Sequence, residues 1–129
     1  MKLIRSRFAK IEAVRDIEFN GKVEINTNIN ISSIEKLNNS KEAIKAKYNF
    51  NIDYSGLGKI SLEGIIFLSC DPKTVKELLK NQEKKEFNSE EFIAITNLII
   101  QKASIKAFEL EEELDLPIHT KLPSISPKK

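Results

Sequence analysis

The stretch from Asn88 to Asp115 constrains this chain most, because a helix through it is apolar on two sides. Asn88, followed by Glu91, forms an Asn-led capping box and predicts the helix start. At 100° per residue, Phe92, Ile93, Ile95, Ile99, Ile100, Ala103 and Ala107 share one broad arc, the width of a core-facing stripe. Ala94, Leu98, Gln101, Ile105 and Phe108 recur on roughly the opposite side. One sheet covers one face only, and the chain offers just one other, short helix. The pattern therefore predicts self-association through Leu98, Ile105 and Phe108, as a dimer or a dimer of dimers.

With 129 residues the chain suits one domain spanning 1–129, ending in a frayed tail at 126–129. A net charge of +2 provides no overall field to hold a nucleic-acid backbone, so local patches decide. Glu109, Glu111, Glu112, Glu113 and Asp115 crowd the end of the long helix, where they oppose its dipole. Either a basic neighbour offsets them or the helix end is simply solvated. The single cysteine, Cys70, excludes an intramolecular disulfide and reads as a core residue. The N-terminal MKLIRSRFAK lacks an apolar targeting core and no run approaches a membrane span, which predicts a cytoplasmic protein without membrane insertion.

Ahead of the helices the period is two. Ile4 and Phe8 lie on even positions and Ile11, Ala13, Ile17 and Phe19 on odd ones, so a first strand from Leu3 to Phe19 needs a bulge near Ala9 or Lys10. Val23 to Ile31 alternates with an Asn-rich solvent face and predicts a second strand, followed by a polar loop from Ser33 to Ser40. Ile44 to Tyr54 gives the third. Ser55-Gly56-Leu57-Gly58, with two glycines for positive φ, closes a hairpin onto a fourth strand from Ile60 to Cys70. In that strand Ile60, Leu62, Ile66 and Leu68 keep one face, while Ile65 and Phe67 add apolar bulk to the other and mark an interface. Asp71-Pro72 caps and starts a short helix with Val75, Leu78 and Leu79 inward. After Asp115, Pro117 and Pro123 force an extended path. Strands first and helices last is the α+β order: a four-stranded antiparallel sheet with a short and a long C-terminal helix packed on one side.

Chemistry has little foothold. The glycines are scattered, so no phosphate loop forms, and His119 has neither a cysteine nor a second histidine near it in sequence. The expectation is a protein without metal, nucleotide or other cofactor, and not an enzyme. Lys45 and Lys47 lie near Tyr48 and Phe50, but the aromatics point to the opposite face, which argues against an RNA-binding sheet.

Several motifs carry a resemblance. Arg15-Asp16-Ile17-Glu18-Phe19 is similar to a K-D-x-S-F segment, with Glu18 in place of serine. Gly64-Ile65-Ile66-Phe67 is similar to G-G-I-F, and Leu116-Pro117 with Pro123 keeps the proline spacing of F-P-x-L-x-L-x-P, while His119, Lys121 and Ile125 depart from its interior. In these motifs and in element order, from about Phe8 to Ile125, the chain resembles the SecB family of protein-export chaperones and its SecB-like relatives. The resemblance implies binding of unfolded or nascent polypeptides in apolar grooves without ATP. On it, Ile34, Leu37, Leu57, Leu116, Ile118 and Leu122, read as loop and tail residues, line the groove; the alternative is that they form a minor satellite core. It also implies a translocase ATPase docking on the sheet, with Asp16 at a matching position, or an antitoxin as client. The competing class is a multimeric interaction or nucleic-acid-associated protein that shares the fold, with nucleic acid the less favoured partner.

Overall fold

The computed structural model describes residues 1–37 and 42–119. Strands β1 (Lys2–Arg15), β2 (Asn26–Lys36), β3 (Ala43–Asp53) and β4 (Gly58–Ser69) form one antiparallel sheet in the order β1-β4-β3-β2, followed by helices α1 (Pro72–Glu83) and α2 (Glu90–Glu113). The two central strands bury Tyr48, Phe50, Ile52, Ile60, Leu62, Ile66 and Leu68 against the helices. Phe92, Ile95, Ile99, Ala103 and Ala107 of α2 and Val75 and Leu78 of α1 complete this layer, as their periodicity requires. Ile93 and Ile100, on the margin of the predicted arc, stay exposed.

The bulge expected in β1 falls between Phe8 and Lys10, and a second register shift separates Leu3 from Arg5. β1 stops at Arg15, short of Phe19. Because β1 and β2 are opposite edges, the intervening chain crosses the end of the sheet over the β3–β4 turn. Asp16 N–H donates to Leu57 O at 2.8 Å, and Ser55 Oγ bonds both the N–H and the carbonyl of Glu24. The positive φ in that turn belongs to Ser55 (60°) and to neither glycine. The glycines supply room instead: a Cβ on Gly56 would meet the Phe19 ring, and one on Gly58 the Val14 carbonyl.

β2 differs most from expectation. Val23 and Ile25 precede it, and Ser33 to Lys36 belong to the strand. A register shift between Ile31 and Ser33 turns Ile34 back onto the inner face. Gln82 of α1 then caps this part of the edge, its Nε2 donating to Ile34 O at 2.9 Å and its Oε1 accepting from Ile34 N–H.

Asp71 caps α1 as the Asp-Pro pair requires, accepting from Thr74 N–H at 2.8 Å. The cap of α2 is Ser89, which accepts from Phe92 N–H at 3.3 Å, one residue beyond the expected Asn88. α2 ends in a Schellman motif: Asp115 takes φ 53°, its N–H reaches Glu112 O, and Leu116 N–H reaches Glu111 O at 2.8 Å. Arg15 donates to the Leu114 carbonyl at 3.3 Å and to the Asp115 carbonyl, so the basic neighbour of this acidic helix end is the last residue of β1.

Tyr48 is buried at the centre of the sheet, its hydroxyl without a hydrogen-bond partner among the described residues, and burial pushes its pKa from 10.0 up to about 12. Burial, then the bond to Glu111 and its charge, push Tyr54 up as well. Both phenols hold their protons more tightly when folded, so their contribution is intact below pH 10.0 and is lost as pH rises beyond it. Tyr48→Phe should raise stability by about 1 kcal/mol at neutral pH, because it removes an unsatisfied hydroxyl, and should shallow the alkaline decline. Urea midpoints at neutral pH and above pH 10.0 check both effects.

Candidate functional site

Thr27, Ile29 and Ile31 of β2 oppose Ile52, Phe50 and Tyr48, which puts them on the inner face. As an edge strand, β2 has a neighbour on one side only, and α2 covers it incompletely. Two depressions result. One, of about 250 Å³, is lined by Ile29, Asn30, Ile31, Phe87, Phe92 and Thr96. The other, of about 320 Å³, is lined by Thr27, Ile29, Phe50, Ile100, Ser104 and His119. Ile29 belongs to both, so they adjoin as one groove along β2 and α2. Phe87 (53% exposed) and Ile100 (40% exposed) offer apolar surface to an occupant. Phe87 meets Phe92 edge to face at 5.2 Å, and the Thr96 hydroxyl donates to Phe92 O. An extended segment in this groove finds aliphatic and aromatic contacts beside a strand edge, a combination that recognises apolar sequence without reading it closely.

The second depression is closed at one end by a buried polar relay. Glu111 lies on α2 with its side chain wholly out of solvent. It accepts from the Tyr54 hydroxyl and from His119 Nδ1 at 3.1 Å, and His119 Nε2 lies 3.1 Å from Ser104 Oγ. The carboxylate requires Nδ1 to carry a proton, and the serine hydroxyl suits either state of Nε2. Phe50 and Phe108 flank the imidazole, with ring centroids 5.8 and 5.0 Å away. The connectivity is that of a nucleophile, base and acid. Ser104, however, lies inside α2, where backbone N–H groups are consumed by the helix ladder, so its own helix supplies no oxyanion donors. The relay anchors the chain after Pro117 to the body of the fold. Among the described residues no group of three or more His, Cys, Asp or Glu is arranged to hold a metal ion, and no helix is long and apolar enough to cross a membrane.

The residues expected to line a groove are dispersed. Ile34 is 1% exposed beneath α1, and Leu57 and Leu116 are also core, so these three present no surface to a client. The loop position expected for Ile34 fails because β2 continues past its bulge. Leu37 is half-buried, Ile118 is exposed, and Leu122, with Lys121, Pro123, Ile125 and the 126–129 tail, lies outside the described residues. Leu98 packs on the core and Phe108 on His119, so of the three residues expected at a subunit contact Ile105 (57% exposed) is the one left exposed among the described residues. Ile65 and Phe67 are half-buried on the outer sheet face. Asp16 is exposed, and its carboxylate accepts from Glu18 N–H. His119, which has no cysteine or second histidine near it in sequence, is the bridge of the buried relay.

Sequence reasoning missed Thr27, Ile29, Phe87 and Ile100 as one surface. Their apolar character is visible in the sequence, but which strand lies at the edge beside α2 is set by strand order.

No family model matches the chain, and no curated protein matches it. Among solved structures it is similar to the Mycobacterium tuberculosis Rv1957 SecB-like chaperone, in complex with a ChAD peptide from the Rv1956 HigA1 antitoxin. The likeness has a TM-score of 0.60 at 10% identity and covers 99% of this chain and 92% of that one. The fold is thus SecB-like.

Among the described residues, His119→Ala leaves the buried Glu111 carboxylate with one side-chain donor, Tyr54, and should cost about 3 kcal/mol. Combining it with Glu111→Gln should cost less than the two single losses added, since one network is removed once. Denaturant melts of the two singles and the double measure the coupling.

Proposed function

We propose that this protein is an ATP-independent chaperone that holds apolar segments of unfolded or nascent polypeptide in the groove between β2 and α2. The observation that carries the reading is the groove itself, apolar, open to solvent and bordered by a strand edge. The SecB-like fold supports it, and the antitoxin peptide bound by the mycobacterial neighbour makes antitoxin escort the narrower form we favour over export through a translocase ATPase. The work asked of the site is binding alone, so no enzymatic step, metal or nucleotide enters the mechanism. Clients gain by covering Phe87, Ile100, Ile29 and Ile31, at about 1.5–3 kcal/mol for each large side chain fully removed from water.

Self-association belongs to the same reading. Exposed Ile105, flanked by the half-buried edge of Leu98, gives α2 an outer apolar spot suited to a second copy, which would keep a client-free protein from aggregating through that helix.

Phe87→Ser with Ile100→Ser, both at exposed positions, should lower stability by only about 1–2 kcal/mol, leaving the protein folded, and weaken client affinity about tenfold. Light scattering of a denatured model protein, with and without each form, reads this directly. Full suppression of aggregation by the double variant would remove the groove from the mechanism, and tight salt-sensitive binding of RNA in its place would favour a nucleic-acid role.

Ile105→Glu should lower the sedimenting mass, because burying an unpaired carboxylate at a subunit contact costs several kcal/mol. A parent protein that already sediments as a monomer counts against self-association.

A further inference from the structure

The outer face of the sheet, turned away from both helices, is divided by charge. Strand register sets Arg5, Phe67 and Lys45 in one cross-strand row and Arg7, Ile65 and Lys47 in the next. Toward the other end the rows become Lys10, Glu63, Asn49 and Asn30, then Glu12, Ser61, Asn51 and Asn28. Ile65 and Phe67 form a half-buried apolar strip between cations on both sides. The Arg5 guanidinium lies 5.5 Å over the Phe67 ring. Lys45 pairs with Glu35 at 3.2 Å, whereas Arg5, Arg7 and Lys47 have no carboxylate within salt-bridge distance among the described residues.

We propose that these two rows dock an acidic segment of a partner polypeptide, with an apolar side chain on the Ile65–Phe67 strip and carboxylates on Arg5, Arg7 and Lys47. Charge complementarity selects this occupant. Arginine presents a planar fork matched to a carboxylate, and the strip excludes water from one side of each pair. A nucleic-acid backbone running across the sheet would meet Glu12, Glu35 and Glu63, and Arg5 already covers the ring on which a base would stack. A second copy laid symmetrically on the same face would set cation against cation. The patch is on the opposite side of the sheet from the groove, so a client and this partner can be held together. The inference therefore does not depend on the groove being a client site.

The test uses fluorescence anisotropy with a short labelled peptide rich in Glu and Asp with Phe and Leu interspersed, its Lys-substituted counterpart, and a single-stranded RNA oligonucleotide. The acidic peptide should bind, more weakly as salt rises. Arg5→Gln, Arg7→Gln and Lys47→Gln together should weaken it about tenfold, since each exposed pair contributes modestly. Phe67→Ala should weaken binding with an unchanged salt slope. The Gln substitutions fall on exposed side chains, so an unchanged melt accompanies the loss. Phe87→Ser with Ile100→Ser should leave acidic-peptide binding as in the parent. Equal binding of the Lys-substituted peptide, undiminished binding by the triple variant, or RNA bound more tightly than the acidic peptide would each overturn the proposal.

Discussion

The Glu111 carboxylate is removed from water by folding, and the positions of several distant segments follow from satisfying it. A buried carboxylate is tolerated only with good partners. Tyr54 brings one from the end of β3 and His119 another from the segment after α2. The Glu111 carbonyl also accepts from Leu116 N–H, so the same residue closes the helix and turns the chain back toward the sheet. Arg15 ties the last carbonyls to β1. One helix terminus is in this way fixed to an edge strand, a central strand and the returning chain.

This anchoring shapes the groove. At its C-terminal half α2 is covered on the β2 side by His119, which explains why Ser104 and Glu111 are buried there. At its N-terminal half no described residue covers Ile100 in the same way, and the strand beside it is an edge. Gln82 bonds the edge only at Ile34, so the stretch from Thr27 to Ile31 keeps its apolar side chains available beside α2. Among the described residues, the groove lies where the latch at the end of the helix does not reach.

The two faces of the sheet carry different physics. Residues that alternate with the core put Arg5, Arg7, Lys45 and Lys47 around Ile65 and Phe67, while asparagines occupy the other half of the same surface. A face of this kind has short-range charge selectivity even though the whole chain is close to neutral. It also differs from the docking surface that resemblance to export chaperones implies, since cations and not carboxylates dominate the rows around Phe67.

The sequence by itself determined what depends on period and local chemistry. Alternation specified β3 and β4 and their inward residues, the conflict of parity located the bulge after Phe8, and Asp71-Pro72 set the start of α1. The helical arc marked Phe92, Ile95, Ile99, Ala103 and Ala107 as core, the order of elements gave the α+β class, and the motif resemblance pointed to its SecB-like form. Tertiary structure decided what depends on which elements become neighbours. Strand order made β2 an edge and so opened the groove, and a single bulge moved Ile34 from an expected loop into the core. His119 and Glu111 are close in sequence, but nothing in their spacing announces a buried pair, because the Schellman turn that folds one over the other is made by Asp115 in a conformation usually given to glycine. Period is a property of the chain; partnership is a property of the packing, and the candidate site rests on partnership.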